Sequence, residues 1–226
     1  MIITIDGPVA SGKSSVAKRL ADKLGFYYLY TGLLYRGLAY LLVTKFGYSD
    51  EELKKPRSAD IDAIVNNPSF QYHYDTGIPT IMFNGENITP YLKTAEVDHW
   101  SSISSADPYV RQSVLHHQIE LGKKYNLVVD GRDTGTIVFP HATIKIFLTA
   151  APEVRAKRWQ QDQMKAGKKF TFADALTAIN ERDQRDITRP HSPLIPATDA
   201  IIIDNSDMSI EETDEKLYQL CLSQHK

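Results

Sequence analysis

Ile2-Ile3-Thr4-Ile5-Asp6, then Gly7-Pro8-Val9-Ala10-Ser11-Gly12-Lys13-Ser14, is the stretch from which the rest of the chain can be read. With Met1, the first segment is a short, mostly apolar run of strand type. The second fits G-x-x-x-x-G-K-[ST] in full. A helical pattern follows, with Val16, Ala17, Leu20, Ala21 and Leu24 on one face. Strand, glycine loop and helix in that order are the context in which this motif binds phosphate. Gly7 and Gly12 let the backbone turn where a side chain would obstruct it. The loop N–H groups then form an anion nest at a helix N-terminus. Lys13 is placed to reach the outer phosphates and the Ser14 hydroxyl to ligate Mg²⁺.

Working outward, strand patterns recur at Phe26–Tyr30, Asn126–Asp130, Ile144–Leu148 and Ala200–Asp204, with helical patterns between them. Five such strands alternating with helices predict a central parallel sheet with helices on both faces. The strand carrying the phosphate loop should be central. The middle of the chain differs. Phe70, Tyr72 and Tyr74 alternate with polar residues, Thr80–Phe83 is strand-like, and Asn84-Gly85 is a hairpin signal. These predict a small inserted antiparallel sheet, its aromatic residues serving as a packing face. Ser101 to Asp107 reads as a polar run. Asp107 with Pro108 starts a helix, which should end near Leu121 with Gly122 as its stop and with Arg111 away from the apolar face.

Charge gathers at two places. Asp130-Gly131-Arg132-Asp133 follows a strand, where open α/β sheets bind ligands. Asp130 reads as a carboxylate near Mg²⁺, as a helix cap, or as a partner of Arg132. Arg155 and Arg158 are three apart on a helix face, and Arg182 and Arg185 repeat that spacing. An ion-paired surface would look the same. Beside a phosphate loop, a mobile arginine-bearing helical hairpin that excludes water and follows moving charge is favoured.

Composition excludes several classes. The formal net charge of −2 gives no sign of a nucleic-acid or membrane partner. One cysteine, Cys221, rules out an intrachain disulfide and a cysteine metal cluster. No basic leader or membrane-length apolar run is present, so a reducing, cytoplasmic setting is expected. The seven histidines are scattered without metal-site spacing, no G-x-S-x-G elbow occurs, and no Asn-Lys-x-Asp guanine reader occurs. Direct phosphoryl transfer to a small anionic acceptor is the economical chemistry.

Several segments resemble the bacterial cytidylate kinase family over nearly the whole chain: Ile5-Asp6-Gly7-Pro8, Thr31-Gly32 with Tyr35-Arg36, Asp130-Gly131-Arg132-Asp133 with Gly135-Thr136 and Val138-Phe139-Pro140, Lys145–Leu148, and Glu181-Arg182-Asp183 with Arg185-Asp186. The resemblance implies a three-layer P-loop NTPase fold of α/β class, with a five-stranded parallel sheet, an inserted antiparallel sheet and a helical lid. It divides the chain into core (1–60, 105–151, 191–226), acceptor-binding insert (61–104) and lid (152–190). It implies ATP-dependent phosphorylation of CMP and dCMP, with ATP and Mg²⁺ bound by Gly7, Pro8, Val9, Ala10, Ser11, Gly12, Lys13 and Ser14, the last ligating the metal. Thr31 and Asp186 would contact cytosine, Asp186 by accepting from its amino group. Arg36, Arg132 and Arg189 would bind the CMP phosphate, and Arg111 and Asp133 would hold base, sugar or the arginine framework. Arg132 with Lys13, and the lid arginines Arg155, Arg158, Arg182 and Arg185, would act on the transferring group. Relatives often carry aspartate where this chain has Tyr30, and serine where it has Thr31. A kinase of another small acceptor, such as shikimate or a different nucleoside monophosphate, and a non-catalytic ATP-binding regulatory protein are the alternatives. The expected partners are CMP, dCMP and ATP, with no nucleic acid or membrane, and the expected state is a monomer.

Overall fold

The computed structural model describes residues 1–165 and 167–224. In chain order the elements begin with β1 (Ile2–Asp6), α1 (Lys13–Leu24), β2 (Tyr27–Tyr30), α2 (Thr31–Phe46), α3 (Asp50–Leu53) and α4 (Ser58–Val65). Next come β3 (Gln71–His73), β4 (Thr80–Phe83), β5 (Glu86–Asn87), α5 (Ala95–Ser104) and α6 (Pro108–Lys124). The chain continues with β6 (Leu127–Gly131), β7 (Ile144–Thr149), α7 (Pro152–Lys165), α8 (Phe172–Thr188), β8 (Ile201–Asp204) and α9 (Ile210–Ser223). They form two compact units, one of Met1–Phe26 with the chain from Asn126 onward, the other of Tyr27–Tyr125.

In the first unit β6, β1, β7 and β8 lie side by side in that order, all parallel. The strand that leads into the Gly7–Ser14 loop is therefore interior, as expected. Ile3, Ile5, Val128, Val129, Ile146 and Leu148 are buried, which explains why these strands are mostly apolar: a parallel strand is covered on both faces. α1 packs on β6 and α9 through Val16, Ala17, Leu20 and Ala21. It stops at Gly25, whose left-handed backbone returns its N–H to Ala21 and Asp22. The register matters most. Asp6 lies opposite Gly131, and Thr149 opposite Asp204. The residues that follow β1, β6, β7 and β8 therefore emerge at one sheet edge.

In the second unit β3, β4 and β5 form an antiparallel sheet, as predicted. Asn84 and Gly85 both take positive φ, 50° and 80°, the two-residue hairpin their sequence signalled. Two expectations fail here. α5 covers part of the stretch read as a polar run. Thr94 caps it by accepting from Val97 N–H, and Ser101 turns its hydroxyl onto the carbonyl of Asp98, which makes that serine compatible with a buried helix face. α6 also runs through Gly122 to Lys124. Lys123 and Lys124 in its last turn complement the dipole there, and one helical glycine costs only about 1 kcal/mol. Asp107 does cap α6, accepting from Tyr109 and Val110 N–H.

Candidate active site

The loop from Gly7 to Ser14 is tightly constrained. A Cβ on Gly7 would stand 2.0 Å from the carbonyl oxygen of Leu148, so β7 and the loop pass at a distance only glycine allows. Ala10 and Gly12 both have left-handed backbones, at φ 57° and 89°. Lys13 is buried and folds its ammonium back into the loop, donating to Pro8 O at 2.6 Å and Ser11 Oγ at 3.3 Å. Burial, with the Arg132 charge, pushes its pKa well below the ordinary lysine value, against the pull of Asp130, Asp6 and Asp183. Ser14 Oγ donates to the Asp130 carboxylate. Asp130 also acts on the Arg132 charge, so the readings as a carboxylate near Mg²⁺ and as a partner of Arg132 both stay open. Serine hydroxyl and carboxylate are two hard oxygen donors side by side, the donor set Mg²⁺ takes from protein when phosphates supply the rest.

Past β6 the chain bears a cationic–anionic cluster. Arg132 Nε donates to Asp186 at 2.8 Å, and Arg189 stands 3.6 Å from the same carboxylate. Burial disfavours charge on Asp186, but Arg132, Arg182 and Arg189 outweigh it and hold its pKa below the ordinary value. Burial likewise opposes charge on Arg132, while Asp186, Asp130 and Asp183 raise its pKa. Arg189 also donates to Ser192 O at 2.6 Å. Arg182 is half-buried. Arg185 is exposed, and its carbonyl caps the end of α8 by accepting from Arg189 N–H.

Asp133 is buried, and its carbonyl accepts from both Ile137 and Val138 N–H. This opens a wide turn, Thr134–Val138, in which Phe139 N–H also reaches back five residues, to Thr134. Such turns recur at functional sites. Asp6 fastens the turn. Its buried carboxylate accepts from Thr134 N–H, Thr134 Oγ1 and Gly135 N–H at 2.7–2.9 Å. Nothing in the sequence marked Asp6 for this task.

Arg155 of α7 reaches the Gly7–Ser14 loop directly, and Arg158 reaches it through Asn205. Arg155 is buried, pairs with Asp183, and donates to Val9 O at 3.1 Å and Ala150 O at 2.9 Å. Asp183 also accepts from Val9 N–H at 3.0 Å. Arg158 donates twice to Asn205, whose amide in turn donates to Ser11 O at 3.0 Å. Neither Asp183 nor Asn205 had a role predicted from sequence. Apolar contact supports the same junction: Val9 packs with Ala156, Ala175 and Ile179.

In the second unit Thr31 is buried at the start of α2. One turn on, Arg36 pairs with Asp98 at 2.6 Å and lies 5.7 Å from the Tyr30 ring centre. Arg111 is buried rather than turned away as its wheel position suggested. It donates to Ser105 O at 3.1 Å and sits over the Tyr35 ring. A guanidinium can be buried when a carbonyl and an aromatic face receive it.

The model of the family described as cytidylate kinase matches residues 3–223. The chain belongs to the cytidylate kinase family. Cytidylate kinase of Parabacteroides distasonis is 38% identical over 216 residues, covering 94% of this chain and 92% of that protein. Cytidylate kinase of a Marinomonas species is 38% identical over 218 residues, covering 96% and 93%. Among solved structures, an uncharacterized protein from Eubacterium ventriosum aligns over 97% of both chains with a TM-score of 0.53 and 13% identity. That likeness speaks for the fold alone. The family's chemistry is phosphoryl transfer to a small nucleotide acceptor. Among the described residues no helix is long and apolar enough to cross a membrane.

Proposed function

We propose that the protein transfers the γ-phosphoryl group of ATP directly to CMP and dCMP, giving CDP and dCDP. The observation that carries this reading is geometric. The parallel neighbours β1 and β6 lead into the Gly7–Ser14 loop with Lys13 and into Arg132, which is held by Asp186, and Ser14 Oγ donates to Asp130 at the end of β6. A donor phosphate and an acceptor phosphate repel, and two adjacent cations offset that repulsion.

On this reading the nest of Gly7–Ser14 takes the ATP phosphates. Lys13 leaves Pro8 and Ser11 to meet them. Mg²⁺, when bound, neutralises charge on the β- and γ-phosphates, and Ser14 and Asp130 are the residues that would hold it. Arg132, Arg189 and Arg36 are assigned to the acceptor phosphate. Arg182 and Arg185 are assigned to the transferring group, and Thr31, Arg111 and Asp133 to the rest of the acceptor. The acceptor oxygen forms a bond to the γ-phosphorus as the bond to ADP breaks. A phosphate monoester is largely ionised near neutral pH, its second pKa being about 6, so no protein base need remove a proton. Asp186, kept ionised by its arginines, accepts from the cytosine amino group. Uracil presents a carbonyl there and would leave the carboxylate facing an acceptor, at a cost of about 1–3 kcal/mol. The same reading takes 61–104 as an acceptor-binding insert and 152–190 as a lid.

The test is ADP release from ATP and Mg²⁺ with CMP, dCMP, UMP, AMP and shikimate offered separately. Fast release with CMP or dCMP and little with the others is expected. Preference for another acceptor would keep phosphoryl transfer and discard the cytosine assignment. No acceptor-dependent release from folded, ATP-binding protein would favour a regulatory role.

A further inference from the structure

Two carbonyls of the phosphate loop are held from outside. Val9 O accepts from Arg155, and Ser11 O accepts from the side-chain amide of Asn205. Each holder is itself fixed. Arg155 is pinned by Asp183 and Ala150 O. Asn205 receives two donors from Arg158 and gives its own N–H to Thr149 O at 2.9 Å. The peptide bonds of the loop are trans, and in a trans peptide the C=O and the following N–H point in opposite directions. Drawing Val9 O onto Arg155 therefore turns Ala10 N–H the other way. Drawing Ser11 O onto Asn205 does the same to Gly12 N–H. Neither of these N–H groups finds an acceptor among the described residues. Ala10 also holds a left-handed backbone without being glycine, which costs about 1–3 kcal/mol and persists only where the surroundings impose it.

We infer that Arg155, Arg158 and Asn205, with Asp183, are positioning residues that aim the Ala10 and Gly12 N–H groups at the nucleotide phosphates. This rests on the proposal that the loop binds ATP. It gives Arg155 and Arg158 a different task from contact with the transferring phosphoryl group. They act through the loop, on donors that serve ground state and transition state alike. Loss of such an arginine therefore weakens ATP binding more than turnover. An arginine that touches only the transferring group would show the reverse.

The experiment uses the full chain, isotope-labelled for amide NMR and titrated with ADP, which binds without turnover. In the wild type the Ala10 and Gly12 amide protons should move downfield together. In Asn205→Ala the Gly12 response should shrink while the Ala10 response persists. ADP affinity should fall about tenfold through the loss of one buried backbone contact, and adenosine affinity should not change. Arg158→Ala, on a partly exposed side chain, keeps the test open if Asn205→Ala does not fold. Its KM for ATP should rise roughly three- to tenfold, with KM for the acceptor and kcat within about threefold. An unchanged KM for ATP with kcat down more than about thirtyfold would overturn the inference, because that is the signature of a group acting only in the transition state. Equal ADP affinity and equal Gly12 response in wild type and variants would overturn it too, leaving the kinase reading standing. A folded wild type that binds neither ADP nor ATP would refute both.

Discussion

Asp6 should make the first unit more stable in mild acid than at neutral pH, and Asp6→Asn should abolish that gain. Burial raises the pKa of this carboxyl from 3.8 to about 6, with some help from the charge of Asp133 and against the hydrogen bonds from Gly135 and Thr134. Between those two values the folded protein holds the proton more tightly than the unfolded chain does. Stability from this group is therefore fully present below about pH 3.8 and is lost as pH rises through about 6. The gap corresponds to roughly 3 kcal/mol. An asparagine carries no charge to bury. Its oxygen can still accept both Thr134 donors, but its NH₂ would face Gly135 N–H and cost about 1–3 kcal/mol at every pH. Wild type minus variant, as unfolding free energy, should thus be larger near pH 4 than near pH 7 by roughly 2.5 kcal/mol, most of the full gap. Urea unfolding followed at Trp159, in a Trp100→Phe background so that the first unit alone is read, measures this difference. A flat difference would refute the claim that burial dominates at Asp6. A difference that grows with pH would show that the three donors win and the carboxyl stays ionised in acid.

Lys13→Ala should remove most phosphoryl transfer while far-UV circular dichroism stays unchanged; ADP release within a few-fold of wild type would show the phosphate site misplaced. Asp186→Ala should lower CMP turnover and narrow the CMP-to-UMP ratio by about 5- to 100-fold, the worth of one buried charged contact, and competition assays with paired acceptors read that ratio directly. Gly7→Ala drives a Cβ to 2.0 Å from a strand carbonyl at φ 151°. Overpacking and backbone strain together cost about 3–5 kcal/mol, so calorimetry should show a melting temperature lowered by more than about 5 °C.

Elements set by local chemistry were legible in the chain. Gly25 ends α1, Asp107 and Pro108 start α6, and Asn84-Gly85 turns the hairpin; each acts within a few residues of itself. Readings failed where a local signal was overridden. Gly122 looked like a stop, yet the helix runs on. Arg111 looked like a surface residue, yet Ser105 O and the Tyr35 ring receive it. The Gly7–Ser14 loop was legible as a motif, but what holds it was not. Asp130 was read from its neighbours in sequence, and its contact with Ser14, far away in the chain, was not foreseen.

Those long-range partners share one physical origin, which is strand order. Apolar runs disclose that strands exist but are blind to which stands beside which. Because β7 lies between β1 and β8, and Thr149 is opposite Asp204, the next residue, Asn205, can give its N–H to Thr149 O. Its side chain then lies within reach of Ser11, in the loop that leaves β1. β6 on the other side of β1 places Asp130 beside Ser14 in the same way, and Asp6, opposite Gly131, meets the turn that follows Asp133. Moving β8 to another position in the sheet would leave every motif in the chain intact and take Asn205 and its hold on Ser11 away from the Gly7–Ser14 loop. A motif can be recognised by residue type and spacing, whereas the side chains that hold its backbone are selected by register and have to be read from the fold.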